Sequence, residues 1–362
     1  MSAREETSTP YPAWVAYEPA LVPSLERMRT EGIEVLEEWF RWAEEWSMLL
    51  RVYGGITRTS AVLEIGCGQG SIAFPLRYLL SSAGSYDGFD IDREKIASLQ
   101  RTFQQAHPHF RFQYVDVHNS FYNPTGAVRG EAFRFPYADG SFDIVYAASV
   151  FTHMAPQVAA NYFREAARVL KPTGRFVFSV FLLDHYRPGA TRALGFTHPR
   201  FNFDHPYGAF AQCEFAIANP KNPEEMTAYS QRLIERLAAD SGLKLQQPIV
   251  PGQWSGSTST WVGAQDLVIL GRAATSVTGL ASASSSQARD MNSAADRAQA
   301  STPMNVSVIV PAYNAEAALA VVSHGLETLD RICSRVLRLD HRREIWMKGG
   351  LSGVSAAHEV SA

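Results

Sequence analysis

From residue 59 onward, short apolar runs alternate with stretches whose apolar positions recur every three to four residues. The runs at 61–65, 85–91, 110–117, 142–148 and 175–183 are bounded by turn-forming residues and read as strands. The stretches at 71–82, 93–105 and 156–170 read as helices, with Asp92 placed to cap the second. Regular alternation of this kind predicts an α/β domain with a parallel sheet covered on both faces. A helix at 223–241 and strands at 243–249 and 266–270 complete the set. Upstream, a helix is expected over 24–53, with Ser24 as its cap and Gly54-Gly55 as its end. Its apolar positions Ile33, Leu36, Trp39, Phe40, Ala43, Trp46 and Leu50 keep helical spacing. The stripe Trp39, Trp42, Trp46 is therefore read as a buried face rather than a substrate platform.

The same pattern divides the chain. Residues 1–58 form a proline-rich arm and a helix, and 59–272 the α/β domain. Residues 273–303 lose apolar periodicity and become rich in alanine, serine and threonine, which predicts a flexible linker before a tail at 304–362. Composition changes this picture little. A net charge of −3 over 362 residues gives no reason to expect a nucleic-acid partner. Cys67, Cys213 and Cys333 are odd in number and far apart, as expected of free thiols in a reducing compartment. No leader pattern opens the chain, and no apolar run reaches the length of a membrane span, so a soluble cytoplasmic protein is expected.

The candidate chemistry begins where the first strand ends, at Glu64-Ile65-Gly66-Cys67-Gly68-Gln69-Gly70. Glycines are needed where a chain leaves a parallel strand sharply and a ligand presses on the backbone. A dinucleotide fingerprint would place its third glycine at position 71, which is Ser71. Asp90, near the end of the second strand and about 20 residues beyond the loop, is placed to accept ribose hydroxyls. Cys67 invites a nucleophile reading, but no histidine lies near it in sequence, and a small space-filling residue beneath the loop is the expectation. The fourth strand runs into Ser149-Val150-Phe151-Thr152-His153, at the edge where such sheets bind ligands. His153 is suited to take a proton from a hydroxyl at neutral pH, and packing at the start of the next helix is the equal alternative. His198 and His205 lack a framework of further ligands, so no metal site is expected.

The Gly-x-Gly-x-Gly loop preceded by Glu64, and the run from Pro136 through Asp139-Gly140-Ser141-Phe142-Asp143 into the fourth strand, resemble the Rossmann-like S-adenosylmethionine-dependent methyltransferases over residues 59–272. The resemblance implies a seven-stranded, mostly parallel sheet with a final antiparallel strand and helices on both faces. It implies S-adenosylmethionine as cofactor, with Glu64, Gly66, Cys67, Gly68 and Gly70 shaping the methionine side and Asp90 holding the ribose. Asp116 and Val117 at the end of the third strand would meet the adenine, with Glu131 as the rival acid. His153 would be the catalytic base, with His185 and His205 behind it. A nicotinamide-dependent oxidoreductase, or an S-adenosylmethionine-binding protein without turnover, are the other readings.

A small-molecule or glycan acceptor, and O-methylation of it, are expected. The lean towards a glycan, and so towards polysaccharide biosynthesis, comes from 305–316. There Val308-Ile309-Val310-Pro311-Ala312-Tyr313-Asn314 resembles the opening of family 2 glycosyltransferases. The remaining tail is too short for that domain and carries no Asp-x-Asp motif, so a truncated remnant is expected.

Overall fold

The computed structural model of the chain describes residues 18–187, 202–207, 214–256 and 261–273. All of these fall within one compact unit spanning residues 1–280. The arm before Glu18, the expected linker beyond Ala273, the glycosyltransferase-like tail, His198, Cys213 and Cys333 lie outside the described residues.

The strands expected from the apolar runs form one seven-stranded sheet in the order β3-β2-β1-β4-β5-β10-β9. They are β1 (Ala61–Ile65), β2 (Ser85–Asp90), β3 (Phe110–Tyr114), β4 (Phe142–Ala147), β5 (Leu170–Val180), β9 (Leu243–Leu245) and β10 (Asp266–Arg272). Strands β1 to β5 pair in parallel, and β10 runs antiparallel to both β5 and β9. The chain lays β2 and β3 to one side of β1, then returns to place β4 and β5 on the other. The order therefore reverses between β1 and β4, and ligands bind at the carboxyl ends of strands beside such a reversal.

Side-chain alternation along β1 divides the core. Val62 joins the cluster under α2 (Leu36–Leu49), α3 (Ala73–Leu79) and α4 (Arg93–Arg101), whereas Leu63 and Ile65 join the cluster under α6 (Pro156–Val169) and α7 (Gln231–Asp240). Trp39 and Trp46 are fully buried in the first cluster, Trp46 stacking on Tyr146 at 5.9 Å, so the tryptophan stripe is core. Asp143 ties the sheet at its other edge, its Oδ2 accepting from Ala61 N and Lys171 Nζ at 2.8 Å each.

Three helices depart from the periodic reading, among them the one expected over 93–105, which is α4 followed by a short α5 (Phe103–Ala106). The helix expected over 24–53 is two, α1 (Leu25–Arg29) and α2, separated by a turn in which Gly32 has φ +77°. Ser24 does cap α1, accepting from Arg27 N. The helix expected over 223–241 is confined to α7, capped by Ser230. The residues ahead of it give a 3-10 turn and a strand, β8 (Thr227–Tyr229), which pairs antiparallel with β7 (Phe215–Ile217). With β6 (His205–Pro206) these make a separate three-stranded sheet.

Candidate functional site

The loop after β1 is built by backbone conformation. Gly66, Gly68 and Gly70 all adopt positive φ (+71°, +51° and +79°), a region that L side chains avoid. Space enforces the same choice at two of them. A Cβ on Gly66 would lie 2.6 Å from Val150 Cγ2, and one on Gly70 would lie 2.7 Å from Leu99 Cδ2. The amides of Gly66 and Cys67 both donate to the Phe89 carbonyl, at 2.9 and 3.1 Å, which pins the loop to the end of β2.

Asp90 stands at that end. Its Oδ2 accepts from Gly68 N at 2.7 Å and its Oδ1 from Asp92 N at 2.9 Å. Burial raises its carboxyl pKa above the usual range, and the Lys95 ammonium pulls the other way. Asp92 caps α4, accepting from Glu94 N and Lys95 N at 3.0 Å each. The loop and Asp90 are thus one hydrogen-bonded unit beside the reversal of strand order.

Glu64 and Cys67 lie beneath this unit. Alternation turns Glu64 into the face under α2, where it is buried and hydrogen-bonded by the Tyr86 hydroxyl. Burial pushes its pKa up to about 8, so it is largely protonated at neutral pH. Cys67 is buried and its thiol pKa is raised well above the ordinary value by burial, the opposite of an activated nucleophile. It fills the space against Gly88, where a Cβ would come within 2.9 Å of Cys67 Cβ.

Beyond β3, Asp116 is half-buried and its Oδ1 accepts from the Tyr114 hydroxyl at 2.7 Å. That bond holds its carboxyl below the usual range. The Tyr114 ring carries the Arg93 guanidinium over its face at 4.0 Å. Val117 is buried and bridges Val128. Glu131, the rival acid, is exposed and pairs with Arg129 at 3.7 Å.

His153 lies after β4, half-buried, with Nδ1 3.3 Å from the Glu224 carbonyl and its ring edge-on to Tyr122 at 5.1 Å. Asn119 Nδ2 donates to the His153 carbonyl at 3.0 Å, which links this turn to the segment after β3. A cavity of about 530 Å³ opens next to these residues, lined among others by His118, Arg129, Glu131, Tyr207 and Glu224. His185 is elsewhere, its Nδ1 2.8 Å from Oδ1 of the fully buried Asp266. That carboxylate raises the His185 pKa. His205 is exposed on β6.

Several polar groups of this edge carry no sequence signal of their own. Ser149 is the one non-glycine with positive φ among the described residues, at +56°. Its amide donates to Ser179 Oγ at 2.9 Å, and its hydroxyl accepts from Gln265 Nε2 at 2.9 Å. Ser179 Oγ in turn donates to Gln265 Oε1 at 2.6 Å. This network joins the ends of β4 and β5 to the residue before β10, contacts that only the folded sheet creates. Among the described residues no group of three or more His, Cys, Asp or Glu could hold a metal ion, and no helix is long and apolar enough to cross a membrane.

Residues 63–178 match the family model described as "Methyltransferase domain". The matched segment begins inside β1, contains the glycine loop and Asp90, and ends inside β5. Over that segment, about a third of the chain, the protein is similar to methyltransferase domains. The domain's cofactor is S-adenosylmethionine, and the left-handed glycines and Asp90 suit it. They keep the turn free of Cβ atoms that would collide with Val150 and Leu99, and they set the Asp90 carboxylate against its backbone. A 27-O-demethylrifamycin SV methyltransferase of Amycolatopsis mediterranei is 31% identical over 124 residues, covering 34% of this chain and 39% of the relative. The O-methyltransferase cnsE of Penicillium expansum is 25% identical over 199 residues, covering 52% of this chain and 64% of that protein. The chain thus spans less than two thirds of the length of either relative. The crystal structure of the PH0226 protein from Pyrococcus horikoshii OT3 superposes with a TM-score of 0.43 at 17% identity, over 64% of this chain and 89% of that one.

Proposed function

We propose that the protein transfers a methyl group from S-adenosylmethionine to a hydroxyl of a small-molecule acceptor. The observation that carries this reading is the glycine loop at the reversal of strand order, hydrogen-bonded to Asp90 within the matched methyltransferase domain. The relatives named as a rifamycin-type methyltransferase and an O-methyltransferase support a hydroxyl acceptor. A glycan hydroxyl is the narrower form of the proposal and rests on the glycosyltransferase-like residues 305–316 alone.

In this reading Gly66, Cys67, Gly68 and Gly70 present backbone to the methionine side, and Asp90 accepts from the ribose hydroxyls. Asp116 and Val117 flank the adenine, and Glu64 supports the loop from beneath. When bound, S-adenosylmethionine supplies a methyl group already activated by its sulfonium centre. The residues around it have chiefly to align the acceptor and exclude water. His153 is the proposed base. With Nδ1–H donating to the Glu224 carbonyl, Nε2 is the nitrogen that takes the acceptor's proton.

The test is transfer of a labelled methyl group from S-adenosylmethionine to a panel of phenolic, alicyclic and sugar hydroxyls. Transfer is expected to vanish in Asp90→Ala and to fall by about 10²-fold or more in His153→Ala, the size of a lost general base. Cofactor binding with no transfer to any hydroxyl would favour a binding protein without turnover.

A further inference from the structure

The glycine loop is covered from outside the matched domain. The end of α1 and the turn after it lie beside the loop, and three bonds hold them in place. Glu31 Oε1 lies 3.4 Å from where a Cβ of Gly68 would stand, and it pairs with Lys95 Nζ at 2.9 Å. Lys95 rises from the first turn of α4, 3.5 Å from Asp92 Oδ2, and its charge acts on Asp90. Gln69, inside the loop, donates from Nε2 to the Arg27 carbonyl at 2.9 Å. The Arg27 side chain reaches Ser98 Oγ on α4 at 2.9 Å. The turn is therefore bound both to the loop and to the helix that follows Asp90.

A second observation marks this cover as one that can open. Gln69 is 5% exposed, and while its amide nitrogen is spent on Arg27, its buried Oε1 has no hydrogen-bond partner. A buried acceptor without a donor is costly, so the closed contact between the turn and the loop is incompletely satisfied and gains a partner when it opens. Glu31 and Lys95 are partly buried, with side chains 26% and 18% exposed, so their attraction is less screened than that of a surface pair.

We propose that residues 27–32 are the outer wall of the cofactor site, latched by the Glu31–Lys95 ion pair, and that this latch sets how fast the cofactor enters and leaves. The proposal rests on the cofactor assignment above. A latch differs from a direct contact in its kinetic signature. Breaking a gate speeds entry and exit together and changes affinity little, whereas losing a contact speeds exit alone.

The experiment is stopped-flow tryptophan fluorescence of the full chain mixed with S-adenosylmethionine, for the wild type, Glu31→Gln, Lys95→Met and the double variant. Hydrogen exchange of residues 25–35 is measured with and without cofactor. The expected result is a rise of about fivefold in both rate constants in each single variant, no further rise in the double variant, and cofactor-dependent protection of the turn. Arg27→Ala, which loosens the same turn by another bond, is expected to act in the same direction. Wild-type binding with unchanged rates in all variants overturns the latch but leaves the cofactor assignment standing. A faster exit alone assigns Glu31 a direct contact and also overturns it. Failure of the wild type to bind S-adenosylmethionine overturns the assignment on which the latch depends.

Discussion

At the scale of single residues, the loop's chemistry is written in backbone geometry and the charges around it are tuned by burial. Gly66 and Gly70 could be singled out in the sequence because few physical reasons place glycines at that spacing after an apolar strand. Their separate causes, Val150 and Leu99, come from distant segments and are visible only in the fold. Glu64 shows the reverse. The resemblance assigns it to the methionine side, and strand alternation sets it beneath the loop against Tyr86. Its folded pKa of about 8 lies above the ordinary value of 4.5 because burial disfavours the charged form. The native state therefore holds this proton more tightly than the unfolded chain does. The associated stability is complete below about 4.5 and is lost as pH rises through about 8. Glu64→Gln, which imitates the protonated acid, is expected to flatten the dependence of melting temperature on pH across this window and to melt above the wild type at its alkaline end. An unchanged slope would contradict the assignment.

At the scale of elements, strands and helices with strong local periodicity were legible, and those made by distant pairing were not. The sheet strands could be placed because each is a short apolar run between turn residues. The division of α1 from α2 was hidden because Ile33 and Leu36 continue the helical spacing across the turn that Gly32 makes. The helix expected over 223–241 takes in β8 because Thr227-Ala228-Tyr229, although Thr and Tyr favour strands, is too short to show a period of its own before β7 lies beside it. Asp266 acts at the same scale, since its fully buried carboxylate accepts from Leu182 N, His185 Nδ1, Gly252 N and Trp254 Nε1. One side chain thus ties the segment after β5 to the loop before β10. Asp266→Ala leaves these buried donors unpaired and is expected to lower stability by about 3–5 kcal/mol, read from denaturant unfolding. A loss below about 1 kcal/mol would mean that the two segments are held by other contacts.

At the scale of the whole molecule, sheet order brings together residues that are far apart in the chain. Because β1 and β4 are neighbours, the glycine loop meets Val150, and because β2 flanks β1, Asp90 reaches Gly68. The pairing of Gly68 with Asp90 was foreseeable from their separation. The covering turn with Glu31, and the Ser149–Ser179–Gln265 network, were not, since each joins segments with no spacing rule between them. His153 and His185 lie in different settings on the ligand edge, one against a backbone carbonyl and one against a buried carboxylate. The most direct measurement is calorimetric titration of the full chain with S-adenosylmethionine and, in parallel, with NADH. A site built on Gly66, Gly68, Gly70 and Asp90 should bind S-adenosylmethionine at micromolar concentration, about −8 kcal/mol, lose that binding in Asp90→Ala and give no heat with NADH. Binding of NADH in its place, or S-adenosylmethionine binding indifferent to Asp90, would contradict the assignment of the site.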